Sequence, residues 1–255
     1  MHTLGATPLH VNSLFAKLAH GHAMTQVTRL DLCPLEGIKT DLSPSGRSPR
    51  QVLIAMAKSL RAQEITPGDS RTNIVLDGDS SEALASGALV MIDGAAIRVT
   101  FACEPCAHGA QMAEVLMSRF RRIERYLGVV LQAGEIIEED PARIHAGVFE
   151  AVPCDFRTRC TWALDSIPPG RIVTSLDFLT AVGAARSYLR VLPRWMQAAS
   201  HAGRPAHRVL TTQLDAPSWA RDADALLSAE GLTREDYAAA RYPLADALWF
   251  DHLTT

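Results

Sequence analysis

Up to about residue 103 the apolar residues come in short blocks cut by glycine, proline and aspartate, a rhythm that predicts strands. Residues 1–24 read as a leader with little pattern beyond Leu14-Phe15-Ala16, and residues 25–32 as a first strand. Pro34, Gly37, Pro44, Gly46 and Pro49 punctuate a loop. Residues 51–61, with Val52, Leu53, Ile54, Met56 and Leu60, suit a strand running into a short helix. Residues 72–76 and 88–92 read as strands. Asp93-Gly94 then makes a two-residue hairpin turn, because glycine tolerates the positive φ such a turn requires. On the returning strand Ile97, Val99 and Phe101 alternate with Arg98 and Thr100. Met112, Val115, Leu116, Phe120, Ile123 and Leu127 recur at helical spacing. Residues 129–131 and 135–137 flank Gln132-Ala133-Gly134 as a second hairpin.

The second half changes rhythm after a linker near residues 147–155. A helix over residues 157–167 is stopped by Pro168-Pro169-Gly170. Thr174 caps the next, with Asp177 three residues on, and Leu176, Phe178, Leu179 and Val182 form its apolar face. Gly183 provides a tight turn, and residues 184–190 open a further helix that Pro193 ends or kinks. Helix, glycine turn, helix is the helix-turn-helix pattern. A last amphipathic helix near 222–230 carries Ala223, Leu226 and Leu227 and is closed by Gly231.

Composition is that of an ordinary globular chain, and no apolar run approaches the ~18 residues of a membrane span. Lacking a basic segment ahead of an apolar one, the chain is expected to have no signal peptide and to be cytoplasmic. Its five cysteines do not form a disulfide framework. Net charge is −3, but its distribution is uneven. Residues 157–208 hold eight arginines and two acids, a balance of +6, and residues 209–255 hold three arginines and eight acids, a balance of −5. A basic block backed by an acidic one suits a phosphate-facing surface; arginines that merely solvate helices are the plainer alternative.

The order Gly68-Asp69-Ser70-Arg71-Thr72-Asn73, Leu84-x-x-Gly87, Ile92-Asp93-Gly94-Ala95, Val99-Thr100 and Cys103-x-x-Cys106, closed by Gly134-Glu135-Ile136 with Glu139-Asp140, resembles the MOSC domain, the module named after the C-terminal part of molybdenum cofactor sulfurases. The resemblance covers residues 24–146 and implies a β-barrel with peripheral helices. It also implies a role for Cys106, as a persulfide sulfur carrier or as a ligand to a molybdenum cofactor. Either role needs the thiolate, which Arg71, Arg98 or His108 would favour if the fold brings one close. A structural loop cysteine, a redox pair with Cys103, and zinc remain alternatives; zinc is short of ligands at this spacing.

Ile167-Pro168-Pro169-Gly170-Arg171-Ile172-Val173-Thr174-Ser175 with Arg204-Pro205-Ala206-His207-Arg208-Val209 resembles the DNA-binding domain of O6-alkylguanine-DNA alkyltransferases. In that family a cysteine ahead of His-Arg accepts the alkyl group. Here the position is Ala206, which cannot be alkylated, so the closer likeness is to the alkyltransferase-like proteins that bind lesions without repairing them. The resemblance implies that Arg186 enters the base stack, that Ser187, Arg190 and Arg194 contact DNA, that Ala206 leaves room for an alkylated base, that His207 and Arg208 belong to the same DNA-binding site in a structural role, and that Glu230 is a remnant of the relay. Three features depart from the family: Leu176 replaces a tyrosine, residues 212–217 replace a glycine-rich loop, and the spacing from the recognition helix to Pro-x-His-Arg is a few residues long.

The expected architecture is α+β: a MOSC-like barrel over residues 24–146 and a mainly helical winged helix-turn-helix domain over 147–255. The expected function is non-catalytic recognition of alkylated guanine in double-stranded DNA, with repair proteins as partners. The alternative is a MOSC-type enzyme using Cys106, with the second domain degenerate; a fusion with neither activity is the third reading.

Overall fold

The first strand is one that the apolar pattern hides. In a computed structural model describing residues 8–19, 22–42, 46–103 and 124–250, the segment His10–Ala16 is strand β1, not leader. Val11, Leu14 and Ala16 are fully buried. A β-bulge between Val11 and Ser13 shifts the inward-facing register by one residue, which erases the simple alternation.

Contacts divide the chain into two units, Met1–Gly46 with Arg50–Cys154, and Arg47–Pro49 with Asp155–Thr255. In the first, β1 is followed by β2 (Thr25–Val27), β3 (Arg29–Cys33), β4 (Gly37–Ile38) and β5 (Val52–Met56). Then come helices α1 (Ala57–Ala62) and α2 (Pro67–Ser70), and strands β6 (Ile74–Asp77), β7 (Leu89–Ile92), β8 (Ala95–Ala102), β9 (Arg125–Gln132), β10 (Gly134–Ile137) and β11 (Ala142–His145). Eight strands form one sheet in the order β11-β7-β8-β9-β5-β6-β1-β2, and β10-β3-β4 form another. β5 and β6 run parallel, joined through α1 and α2. Leu30, Leu32, Ile38 and Ile136 of the small sheet share one apolar cluster with Ile54, Ile74, Ile97 and Val130 of the large one. The large sheet is thus curled round its core as a half-barrel. Phe15, Ala55, Leu60 and Val75 make a second cluster that α1 helps to cover.

The β7–β8 hairpin turns on Asp93 (φ 39°) and Gly94 (φ 89°), as the dipeptide predicts. Two expectations fail nearby. The helical spacing through Leu127 overruns a strand, because β9 begins at Arg125; residues 104–123 of that reading lie outside the described residues. β9 lies between β5 and β8 and is buried along most of its length, so its apolar run carries no alternation. Nor do β9 and β10 form a hairpin: the chain leaves the large sheet at Ala133, and β10 pairs with β3.

The second unit contains α3 (Phe156–Asp165), β12 (Val173–Thr174), α4 (Ser175–Ala181), a 3-10 segment Arg186–Arg190, and α5 (Leu192–His201). A 3-10 turn Ala206–Arg208, β13 (Val209–Leu210), α6 (Ala223–Ala229), a turn Arg234–Asp236 and α7 (Leu244–Trp249) follow. Asp155 caps α3 by accepting from the Thr158 N–H at 2.9 Å. Thr174 caps α4 by accepting from the Asp177 N–H at 3.2 Å, as their spacing predicts. Phe178, Leu179, Leu192, Met196 and Trp249 are buried, and the Trp249 indole donates to the Ala181 carbonyl at 2.8 Å. β12 and β13 run parallel, pairing Val173 with Val209.

A helix, a turn at Gly183 (φ 72°) and a second helix do occur, but not as predicted. Ala185 is extended, and Arg186–Arg190 is 3-10 rather than α-helical. Pro193 neither ends nor kinks a helix; it opens α5, where its missing N–H is no loss. Among the described residues no helix is long and apolar enough to cross a membrane.

Candidate functional sites

At one end of the half-barrel β8 runs out into Cys103, whose N–H donates to the Arg125 carbonyl at 2.7 Å. Arg125 in turn donates from Nη1 to the Ser70 carbonyl at 2.7 Å, fixing the end of α2 against β9. Arg71 follows in a left-handed conformation (φ 57°) with its side chain exposed. The Ser70 and Thr72 hydroxyls, both buried, lie 2.6 Å apart. Asn73 is the joint of the sheet: its Oδ1 accepts from the Leu53 N–H at 2.9 Å and its Nδ2 donates to the Phe15 carbonyl at 3.2 Å. The Gly68–Asn73 motif therefore builds the frame around the end of β8.

Cys106 and His108 lie outside the described residues. Of the other two cations proposed to activate the thiol, Arg98 is buried with its guanidinium 4.6 Å from the Phe149 ring centre, and Arg71 stays at this end of the sheet. Gly87 is explained by backbone approach. At φ 84°, a Cβ there would collide with the Phe149 carbonyl oxygen, and the Gly87 carbonyl accepts from the Phe149 N–H at 2.9 Å. No group of three His, Cys, Asp or Glu among the described residues could hold a metal ion.

The second unit brings its motif residues together. Parallel pairing of β12 with β13 sets the Pro-Pro-Gly loop beside the turn that carries Ala206, His207 and Arg208. Glu230, at the end of α6, reaches into this place. Its Oε1 lies 2.9 Å from His207 Nε2. Arg208 donates to it from Nε at 2.9 Å and from Nη2 at 2.7 Å, and Oε2 accepts from the Gly170 N–H at 2.9 Å. Arg208 Nη1 donates to the Ile167 carbonyl at 2.6 Å. The three side chains are each 12–15% exposed. Burial alone would raise the Glu230 carboxyl, but the hydrogen bonds from Arg208, His207 and Gly170 outweigh it and hold the group down at about 2. Ala206 is fully buried, and its carbonyl accepts from the Trp219 indole at 3.2 Å.

The proposed DNA contacts are placed less uniformly. Arg186, Ser187 and Arg190 are exposed on the 3-10 segment, and Arg194 on the first turn of α5. The +6 block is smaller than the sequence suggests. Arg159 is buried and donates to the Val182 carbonyl at 3.0 Å, while Arg208 is bound to Glu230. Six arginines remain exposed, at 157, 171, 186, 190, 194 and 204. Sequence reasoning missed a ring cluster. Phe156 lies 4.8 Å from Trp195 and 5.2 Å from Tyr188, and the latter two lie 5.7 Å apart. Its members are distant in sequence, so only the fold reveals it.

Residues 48–147, which hold most of the curled sheet of the first unit, match the MOSC domain family. Among solved structures, the YuaD protein from Bacillus subtilis is similar at 16% identity, covering 55% of this chain and 97% of its own, with a TM-score of 0.45. YiiM from Escherichia coli is similar at 17% identity, covering 78% and 94%, with a TM-score of 0.40. YiiM from Geobacillus stearothermophilus is similar at 14% identity, covering 86% and 100%, with a TM-score of 0.42. No curated protein matches the chain.

Proposed function

We propose that the first unit is the chemical half of a cytoplasmic protein and that Cys106 is its reactive thiol. The observation that carries this is the family match over residues 48–147, which spans the Cys103-x-x-Cys106 motif. The family implies either a persulfide held on the thiol or a molybdenum cofactor bound by it; when bound, that cofactor supplies oxygen or sulfur transfer. The residues of this chain supply the setting: Cys103 tied to β9, Arg125 clamping α2, and Arg71 as an exposed cation at the same end. A cation near the thiol favours the thiolate that either role needs. The test is Cys106→Ser against Cys103→Ser after incubation with a persulfide donor, followed by intact mass. A gain of one sulfur atom, kept in Cys103→Ser and lost in Cys106→Ser, supports the carrier reading. An equal gain in both variants sinks it.

A second reading is favoured by the short His207–Glu230 contact beside a buried Ala206. In it the second unit is an alkyltransferase-like reader of double-stranded DNA. Arg186 fills the gap left by an extruded base, and Ser187, Arg190 and Arg194 contact the backbone. Its winged-helix character and repair partners belong to this reading. The measurement is binding to a duplex with one O6-methylguanine against the unmodified duplex across a salt series. A preference of about tenfold or more, about 1.4 kcal/mol, abolished by Arg186→Ala, is expected. Equal, salt-sensitive binding to both duplexes would refute lesion reading.

A further inference from the structure

A cleft of about 530 Å³ opens between α3 and α5, within the size range of small-molecule sites (~300–1,000 Å³). The thiol chemistry of the first unit and the His207–Glu230 cluster do not use it, and the DNA-reading of the second unit draws on one of its residues, Arg194. Its floor is apolar, from Cys160, Leu164 and Met196. Burial pushes the Cys160 thiol up to about 12, so the floor presents a neutral S–H. Along α5, Ala198, Ala199 and Ala202 keep one wall low, leaving room for a flat body.

The charged groups of this cleft all have one sign, and the Thr161 hydroxyl is a neutral polar group beside them. Arg157, Arg194 and Arg204 line it, and among the described residues no carboxylate does. Arg204 is partly neutralised by Asp165 at 2.6 Å. Arg157 and Arg194, both exposed, leave two guanidinium groups for a ligand, and planar forks of this kind bind phosphate oxygens in pairs. Trp195 also lines the cleft. It is half-buried, with Phe156 and Tyr188 packed against it at 4.8 and 5.7 Å, so its ring is held in place before any ligand arrives. A fixed indole beside two arginines over an apolar floor matches a planar ring that carries a phosphate.

We propose that the cleft between α3 and α5 binds a nucleotide, with its base against Trp195 and its phosphate on Arg157 and Arg194. The ligand is either a free mononucleotide or the 5′-phosphorylated end of a strand. The experiment is calorimetric titration of the full chain at low salt with adenosine 5′-monophosphate, a 5′-phosphorylated adenylate dinucleotide, adenosine, and inorganic phosphate. The expected result is that at least one of the two nucleotides binds ten times more tightly than adenosine and than phosphate. Preference for the monophosphate identifies a free nucleotide, and preference for the dinucleotide a strand end. Arg157→Ala with Arg194→Ala should weaken binding at least tenfold; both side chains are exposed, so the fold should tolerate their loss. Trp195→Leu should bring nucleotide binding down to that of phosphate. The proposal is overturned if neither nucleotide binds below millimolar, if phosphate binds as tightly as the nucleotides, or if the double arginine variant binds unchanged.

Discussion

Replacing Glu230 by glutamine should weaken the second unit and flatten its response to acid. The carboxylate accepts from Arg208 twice, from His207 and from the Gly170 N–H, and it is 15% exposed. Glutamine preserves the shape but loses the charge, leaving the half-buried Arg208 guanidinium facing an amide. Exposed ion pairs contribute about 0–1 kcal/mol and breaking buried ones costs about 3–5; this cluster lies between, so about 2 kcal/mol is expected at neutral pH. The acid dependence follows from the carboxyl being held at about 2 against an ordinary 4.5. Its stabilisation is fully present above pH 4.5 and is lost as pH falls through 2. After allowance for solvent screening the loss is about 1–2 kcal/mol. The assay is urea unfolding followed by tryptophan fluorescence at pH 7 and at steps from pH 5 to 3. All four tryptophans (162, 195, 219 and 249) lie in the second unit, so the signal reports that unit alone. The reasoning is refuted if Glu230→Gln has the wild-type midpoint at pH 7, or if the variant keeps the wild-type slope between pH 5 and 3.

Two further variants test the frame of the first unit, which contains no tryptophan and is best followed by far-ultraviolet circular dichroism. Gly87→Ala should cost about 3 kcal/mol, from a Cβ against the Phe149 carbonyl together with a left-handed φ; an unchanged melting temperature would show that residues 147–150 simply move aside. Asn73→Ala should cost about 2–3 kcal/mol, because the buried Leu53 N–H and Phe15 carbonyl both lose a partner, and a loss below about 0.5 kcal/mol would mean that water replaces the amide.

Much of this was legible wherever local chemistry decides the outcome. Asp93-Gly94 and Thr174 with Asp177 act through their nearest neighbours, and both appear as their spacing predicts. Pairing of Glu230 with His207 was implied only by the likeness to the alkyltransferases, and the 2.9 Å contact brings them together across 23 residues. Illegible features depend on distant partners. A bulge disguised β1, and the central position of β9 removed the alternation that marks a strand. Arg159 reads like its exposed neighbours until the fold buries it under the Val182 carbonyl. Pro193 reads as a helix breaker in the sequence because its effect depends on where the helix starts, which the 3-10 segment decides.

The position of β1 also bears on how the chain is made. Its Val11 N–H donates to the Asp140 carbonyl at 2.9 Å, and the Leu9 carbonyl accepts from the Ala142 N–H at 2.9 Å. A strand near the start of its unit is thus bonded to residues near that unit's end. Until those residues emerge, β1 has no partner on that side and cannot be sealed in. The first unit should therefore complete its folding late in translation, and slowly for its size, because its closing contacts span nearly its whole length.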